Sequence, residues 1–138
     1  MGFREDLKFG QMWEDKYQKL MTEKFGKLVE KAPDREFKDY DYAFEKGIVE
    51  VKADRMVSKT GNFFVEFECS NRMSGISATK ATHYLLIDVV NEETYLVDTH
   101  TLISIANDTN CRVVSACENG KNKGFLVEKY KLKRFKII

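Results

Sequence analysis

Three ionisable residues of types common in hydrolytic sites lie close together in the sequence: Asp41, Glu50 and Lys52. The run Glu45–Gly47 between them is typical of a tight turn, so the chain from Asp39 onward is predicted to fold back as a β-hairpin. With the turn at that place, Asp41 lies opposite Glu50, and Asp39 lies opposite Lys52.

Side-chain alternation along the strands brings these three residues to one face of the hairpin. Glu50 and Lys52 point to the same side and Asp41 joins them from the partner strand, while Val49 and Val51 point into a core. Two carboxylates directly opposite each other destabilise a strand pair unless a cation lies between them. The pattern therefore predicts a cation site, and its alternative is the ordinary solvent-facing side of a hairpin.

The other metal-ligating residues favour a hard cation by elimination. With only His83 and His100, and cysteines that lack metal-ligand spacing, a zinc site or a Ser-His-Asp triad has few residues to form from. Carboxylate oxygens suit Mg²⁺, and we expect Mn²⁺ to substitute for it. The odd number of cysteines predicts reduced thiols, at Cys69, Cys111 and Cys117.

Two other arrangements of acidic residues compete with this one. Asp39 has the same parity as Asp41, but a position opposite Lys52 suits an ion pair better than a metal ligand. Asp54 combined with the Glu66-x-Glu68 motif is a second candidate set, but it lacks a lysine. Asp41 is therefore the preferred ligand.

An aspartate followed, after one tight turn, by Glu-x-Lys in a β-strand resembles the signature of the PD-(D/E)XK nuclease superfamily. Three blocks are similar in order and spacing to its Holliday-junction-resolvase-like and phage-endonuclease members: Val49–Asp54, Thr60–Glu66 and Ser74–Ala81. The proline of the signature is absent, since Tyr40 precedes Asp41.

The resemblance implies an α/β (α+β) fold with the restriction-endonuclease-like αβββαβ core, a mixed central sheet flanked by helices, in a single domain over residues 1–138. The implied activity is Mg²⁺-dependent endonucleolytic cleavage of DNA, most like that of a Holliday junction resolvase. Such resolvases cut four-way junctions as homodimers, because two symmetric cuts require two active sites. The alternatives are a phage-type endonuclease on duplex or flap DNA and an inactive nuclease fold that only binds DNA.

The resemblance also assigns roles to residues of the hairpin. Asp41 is expected to be the bridging metal ligand and Glu50 the second ligand, with the backbone carbonyl of Val51 completing the site. Lys52 would orient or deprotonate the attacking water and stabilise developing negative charge. In related proteins the glutamate equivalent to Glu66 lies on the neighbouring strand, close to the metal.

Glutamate 14 is a further catalytic candidate. The segment Phe9–Glu14 resembles the first helix of resolvase-like nucleases, where a glutamate reaches the metal site. The alternative for Glu14 is a surface glutamate that pairs with nearby lysines.

Four residues are candidates for contacts to DNA. Ser74, Thr79 and Lys80 fall where hydroxyls, backbone N–H groups and an ammonium at a helix start would hold a phosphate, although a turn and a helix cap are the alternative reading. Lys59 lies at a basic loop tip that contacts DNA or is simply solvated.

Hydrophobic periodicity predicts the order helix, three antiparallel strands, short helix, strand, followed by further elements. We predict helices at Leu7–Lys31, Ala78–Thr82 and Thr99–Asn107, the last capped by Thr99, and strands at Phe37–Glu45, Ile48–Arg55, Asn62–Cys69, His83–Val90, Tyr95–Asp98, Cys111–Cys117 and Lys123–Lys133.

Charge is uneven along the chain, although its net value is only +1. From Lys121 to Lys136 seven Lys or Arg residues accompany one acid, Glu128, so this stretch either lies along phosphates or is a solvated terminus. The sequence has neither a long apolar run nor the apolar segment of a signal peptide at its start, so we expect a cytoplasmic protein of a prokaryotic or phage-infected cell.

Overall fold

The computed structural model describes residues 11–33, 39–115 and 121–138, apart from the side chain of Glu14. In chain order the strands are β1 (Leu28–Lys31), β2 (Tyr42–Phe44), β3 (Gly47–Asp54), β4 (Asn62–Cys69), β5 (Arg72–Met73), β6 (His83–Asp88), β7 (Glu93–Asp98), β8 (Arg112–Ser115) and β9 (Asn122–Glu128). The helices are a π-helical turn (Trp13–Tyr17), α1 (Gln18–Phe25), α2 (Val57–Thr60), α3 (Thr99–Asp108) and two 3₁₀ segments (Gly75–Ser77 and Lys129–Phe135). The predicted helix start at Leu7, the strand start at Phe37 and Cys117 lie outside the described residues.

The N-terminal helix ends earlier than its periodicity predicts. Its last residue is Phe25, and Gly26 follows with φ of 84°, a conformation that glycine adopts without steric cost. Residues Leu28–Lys31, predicted as helix, form β1 and pair with β2. Leu28 still packs against the helix core from its strand, which is why its spacing resembled a helical one.

The strands form two sheets. The first is a mixed five-stranded sheet in the order β1-β2-β3-β6-β7, in which only β3 and β6 are parallel neighbours. The second is an antiparallel four-stranded sheet in the order β5-β4-β9-β8. The protein is therefore α+β, with a mixed five-stranded sheet and helices.

The strand Asn62–Cys69 has the predicted bounds but not the predicted neighbours. As β4 it belongs to the second sheet, so the three consecutive antiparallel strands after the helix are β1, β2 and β3. The place beside β3 is taken by β6, whose run of buried residues suits a strand covered on both faces.

No α-helix forms at Ala78–Thr82, where the sequence predicts one. A 3₁₀ turn at Gly75–Ser77 precedes this segment, whose polar groups instead bind the hairpin: the Lys80 N–H donates to the Asp39 carbonyl at 2.7 Å. The predicted helix Thr99–Asn107 does form, as α3, but its N-cap is Asp98 rather than Thr99, because the Asp98 carboxylate accepts from a first-turn N–H.

The first sheet lies between two layers. The N-terminal helix covers one face, where its apolar residues meet those of β3, β6 and β7: Trp13, Tyr17, Met21, Phe25, Val49, Leu85, Ile87 and Leu96. The second sheet and α3 cover the other face through Phe63, Val65, Tyr84, Leu86, Val97, Leu102 and Val127. Residues of β6 belong to both cores, so β6 is held from both sides. Its pairing with β3 places Glu50 on the face that is covered by the second sheet.

None of the helices in the described ranges has the length and apolar character needed to cross a bilayer.

Candidate active site

The hairpin forms in the predicted register. Tyr42 pairs with Val49 and Phe44 with Gly47, and the Asp41 N–H donates to the Val49 carbonyl at 3.1 Å. The paired residues end at Tyr42, so Asp41 lies just before β2, and its position directly opposite Glu50 stays a prediction.

The three ionisable side chains converge on one face of β3. Asp41 Oδ2 accepts a hydrogen bond of 2.7 Å from the Val51 N–H, and Lys52 Nζ lies 3.6 Å from Glu50 Oε1. The Glu50 side chain is 15% exposed and that of Lys52 is 40% exposed, so the carboxylate is recessed and the ammonium reaches solvent. Val49, on the opposite face, is fully buried.

Burial dominates the electrostatics of the two carboxyl groups. The pKa of Glu50 is raised to about 7, mainly by loss of solvent contact and also by the Asp41 charge, whereas Lys52 lowers it in part. Burial also raises the pKa of Asp41, although the Val51 N–H and Lys52 lower it. The two carboxyl groups therefore resist ionising together near neutral pH.

The oxygen ligands available here fit Mg²⁺. In the described part of the chain no three His, Cys, Asp or Glu side chains form a complete metal-binding group, so Asp41 and Glu50 offer two carboxylates. The N–H and C=O of one strand residue point toward the same edge, so the Val51 carbonyl is directed to the side on which Asp41 lies. Two carboxylates and a carbonyl suit Mg²⁺, which keeps several waters when it binds proteins.

Tyr84 was not among the predicted site residues. It is the parallel-strand neighbour of Glu50, is fully buried, and its hydroxyl has no hydrogen-bond partner among the described residues. Burial raises the pKa of Tyr84, and the charges of Glu50, Asp41 and Glu66 raise it further. The apolar run around Tyr84 gives no sign of this position beside Glu50, because a buried strand is expected to contain aromatic residues.

Glu66 approaches this region from the second sheet. Its carboxylate accepts hydrogen bonds from Ser74 Oγ at 2.9 Å and Asn122 Nδ2 at 2.7 Å. The predicted position on a strand next to that of Glu50 is wrong, because β4 and β3 belong to different sheets. Nothing in the local sequence of Asn122 indicated this long-range contact.

Two of the three candidate phosphate ligands near Gly75 have hydrogen bonds inside the protein. Ser74 is 4% exposed and its hydroxyl donates to Glu66, and the Thr79 hydroxyl donates to the Asp39 carbonyl at 2.9 Å. Lys80 is 74% exposed and lies 3.5 Å from Asp39 Oδ2. Asp39 thus pairs with Lys80, not with Lys52 as its register position suggested.

The remaining candidates lie around the same sheet. Lys59 is exposed in α2, beyond the C-terminal end of β3. Glu14 belongs to the π-helical turn, on the sheet face opposite Glu50, and its side chain lies outside the described atoms. Asp54 Oδ1 accepts hydrogen bonds from the N–H groups of Met56 and Val57, ahead of α2, and it lies in a different sheet from Glu66 and Glu68 of the competing acidic set.

The basic C-terminal stretch is folded against the first sheet. Lys129 contacts Glu93 and lies 3.0 Å from Asp88 Oδ2, Lys136 lies 2.9 Å from Glu93, and Leu132 between them is fully buried. The prediction of a strand to Lys133 is wrong after Glu128, where a 3₁₀ segment begins. Lys129 and Lys136 therefore form ion pairs within the protein, whereas the sequence predicted that this stretch lies along phosphates or is solvated.

No protein-family model matches the sequence, and no curated protein matches it.

Proposed function

We propose that this protein is a Mg²⁺-dependent DNA endonuclease of the PD-(D/E)XK type. The observation that carries the proposal is the recessed pair Asp41 and Glu50, with a Glu50 pKa of about 7, beside the solvent-reaching Lys52. An acidic pair that resists ionisation until a cation arrives, next to an accessible ammonium, is suited to phosphodiester hydrolysis.

Each residue has a distinct part in this chemistry. Asp41 and Glu50 would hold the cation with the Val51 carbonyl, and bound Mg²⁺ would supply Lewis-acid stabilisation of charge at the phosphate. The Val51 N–H fixes the Asp41 carboxylate before any ligand arrives. Lys52 would orient the attacking water and stabilise the negative charge that develops on the phosphate oxygens.

The order of elements supports the same proposal. A helix is followed by the antiparallel strands β1, β2 and β3, and then by β6 in the same sheet. This agrees with an αβββαβ core, except that the second helix is replaced by α2, two strands of the second sheet and a 3₁₀ turn. The three blocks that resemble resolvase-like and phage nucleases occupy β3, β4 and the loop after β5.

We further propose a four-way DNA junction as the substrate and a homodimer as the active species. Sequence resemblance supports both, together with the requirement of two active sites for two symmetric cuts.

The test is cleavage of a labelled four-way junction beside a linear duplex, with and without Mg²⁺, by wild type and Lys52→Met. Lys123→Met is a matched control, because Lys123 is 47% exposed and lies 3.4 Å from one carboxylate, Glu68, on the second sheet. We expect Mg²⁺-dependent junction cleavage that falls at least about 100-fold in Lys52→Met and is unchanged in Lys123→Met.

If duplex and junction are cut equally, the proposal of a nuclease stands, and the proposal of a four-way junction as the preferred substrate is refuted. Absence of cleavage by wild type with either Mg²⁺ or Mn²⁺ would refute the proposal.

A further inference from the structure

Tyr84 is a buried residue of the first sheet whose hydroxyl is shielded from solvent. It lies on β6, directly beside Glu50 on β3, and packs in the apolar core between the two sheets. The residue is fully buried, so bulk water does not solvate the phenol oxygen.

The hydroxyl has no hydrogen-bond partner among the described residues. A buried hydroxyl left unpaired is costly, and such groups in native proteins are usually explained by an ordered water or an ion. Glu50 is the strand neighbour of Tyr84, and its charge raises the pKa of the phenol, yet its carboxylate does not accept the phenol proton in a hydrogen bond. A buried donor without a protein partner, on the strand beside a carboxylate, is the setting in which a bridging water is stable.

We propose that Tyr84 is a positioning residue of the Asp41–Glu50 site: its hydroxyl donates to an ordered water that is shared with the Glu50 carboxylate. Through this water the phenol holds Glu50 in the orientation that receives the cation. The inference rests on the proposed function, because it concerns the same cation site.

A phenol is well suited to this task. It provides one donor on a rigid ring, and the packed core around it leaves the ring few alternative positions. Groups that orient metal ligands without touching the metal commonly change metal affinity by about 10-fold to 100-fold when removed.

The experiment compares wild type, Tyr84→Phe and Tyr17→Phe after removal of metal with a chelator. Tyr17 is the matched control, because it is equally buried, lies on the other face of the same sheet and accepts a hydrogen bond of 2.8 Å from Thr94 Oγ1. Calorimetry would give the Kd for Mg²⁺, and thermal unfolding would give the Tm of each metal-free protein.

We expect Tyr84→Phe to raise the Kd for Mg²⁺ about tenfold and to lower the metal-free Tm less than Tyr17→Phe does, because a water-mediated hydrogen bond is lost instead of a direct one. Tyr17→Phe should lower the Tm, since Thr94 loses its partner, and leave the Kd unchanged.

If Tyr84→Phe binds Mg²⁺ with the wild-type Kd, Tyr84 has no positioning role and is only a core residue, while the proposal of a cation site at Asp41 and Glu50 is unaffected. A metal-free Tm that falls in Tyr84→Phe as far as in Tyr17→Phe would mean that the hydroxyl already has a protein partner, which also overturns the inference. Failure of wild type to bind Mg²⁺ or Mn²⁺ would refute both this inference and the proposed function.

Discussion

Replacing Glu50 with glutamine removes one negative charge from the recessed pair while keeping the size of the side chain. In the metal-free protein this change should be stabilising at neutral and alkaline pH. The reason is that ionised Glu50 has lost most of its hydration and faces Asp41, and Lys52 compensates only in part.

The magnitude follows from the pKa of Glu50, which rises from 4.5 to about 7. At about 1.4 kcal/mol per pKa unit, this corresponds to roughly 3 kcal/mol of stability lost when Glu50 ionises in the folded state. This figure already includes the attraction to Lys52, which lowers the pKa of Glu50, so we expect Glu50→Gln to gain roughly 3 kcal/mol above pH 7.5.

The sign of the pH dependence is set by the direction of the shift. Because the folded-state pKa is the higher one, the contribution of protonated Glu50 is fully present below pH 4.5 and is lost as the pH rises through about 7. Wild type should therefore lose stability relative to Glu50→Gln across this interval, and the two should differ least at its acidic end.

Urea unfolding of both proteins at a series of pH values from 5 to 8, in the presence of a chelator, measures this difference directly. The stability of wild type alone does not isolate Glu50, because His83 titrates in the same interval. Burial lowers the pKa of His83, so its contribution to stability rises with pH and opposes that of Glu50; subtracting the Glu50→Gln curve from that of wild type removes it. Parallel stability curves for the two proteins, with no growing gap between pH 5 and 8, would refute the reasoning.

Two further predictions concern the structure around the site. Lys129→Met should cost roughly 3 kcal/mol in urea unfolding, because it leaves the fully buried carboxylate of Asp88 without its cation; a loss below about 1 kcal/mol would show that Lys129 is not the main counter-ion. Gly75→Ala should cost at least about 2 kcal/mol, because its Cβ would lie 2.1 Å from the Glu66 carbonyl oxygen and φ is +50°. Wild-type stability of Gly75→Ala would contradict the close approach of these two segments.

The hairpin could be predicted because its two strands are adjacent in the sequence and are joined by one tight turn. A turn signal at Glu45–Gly47 and the alternation of Val49 and Val51 with Glu50 and Lys52 are enough to set both the register and the faces. The bounds of Asn62–Cys69 were predicted for the same reason.

The residues of a strand do not determine which strands it pairs with. Alternation along β4 does not distinguish a place beside β3 from a place in a second sheet, and the parallel pairing of β3 with β6 joins residues far apart in the chain. The early end of the N-terminal helix depended on Gly26 alone, whose positive φ outweighs a continuing apolar period.

The site was predicted in part for similar reasons. Asp41, Glu50 and Lys52 are brought together by one turn, but Tyr84 and Asn122 reach the region only through long-range strand pairing. Ser74 was predicted as a phosphate ligand because its burial could not be read from the local sequence. It is buried only because its loop packs against β4, where its hydroxyl donates to Glu66.

The most direct test of the central claim is Mg²⁺-dependent cleavage of DNA at pH 8 by wild type and by Glu50→Gln, each at matched protein concentration. If Asp41 and Glu50 hold the cation, the glutamine protein, although more stable without metal, will cut at least about 100-fold more slowly than wild type. A Glu50→Gln protein that cuts DNA at the wild-type rate would contradict the assignment of this site.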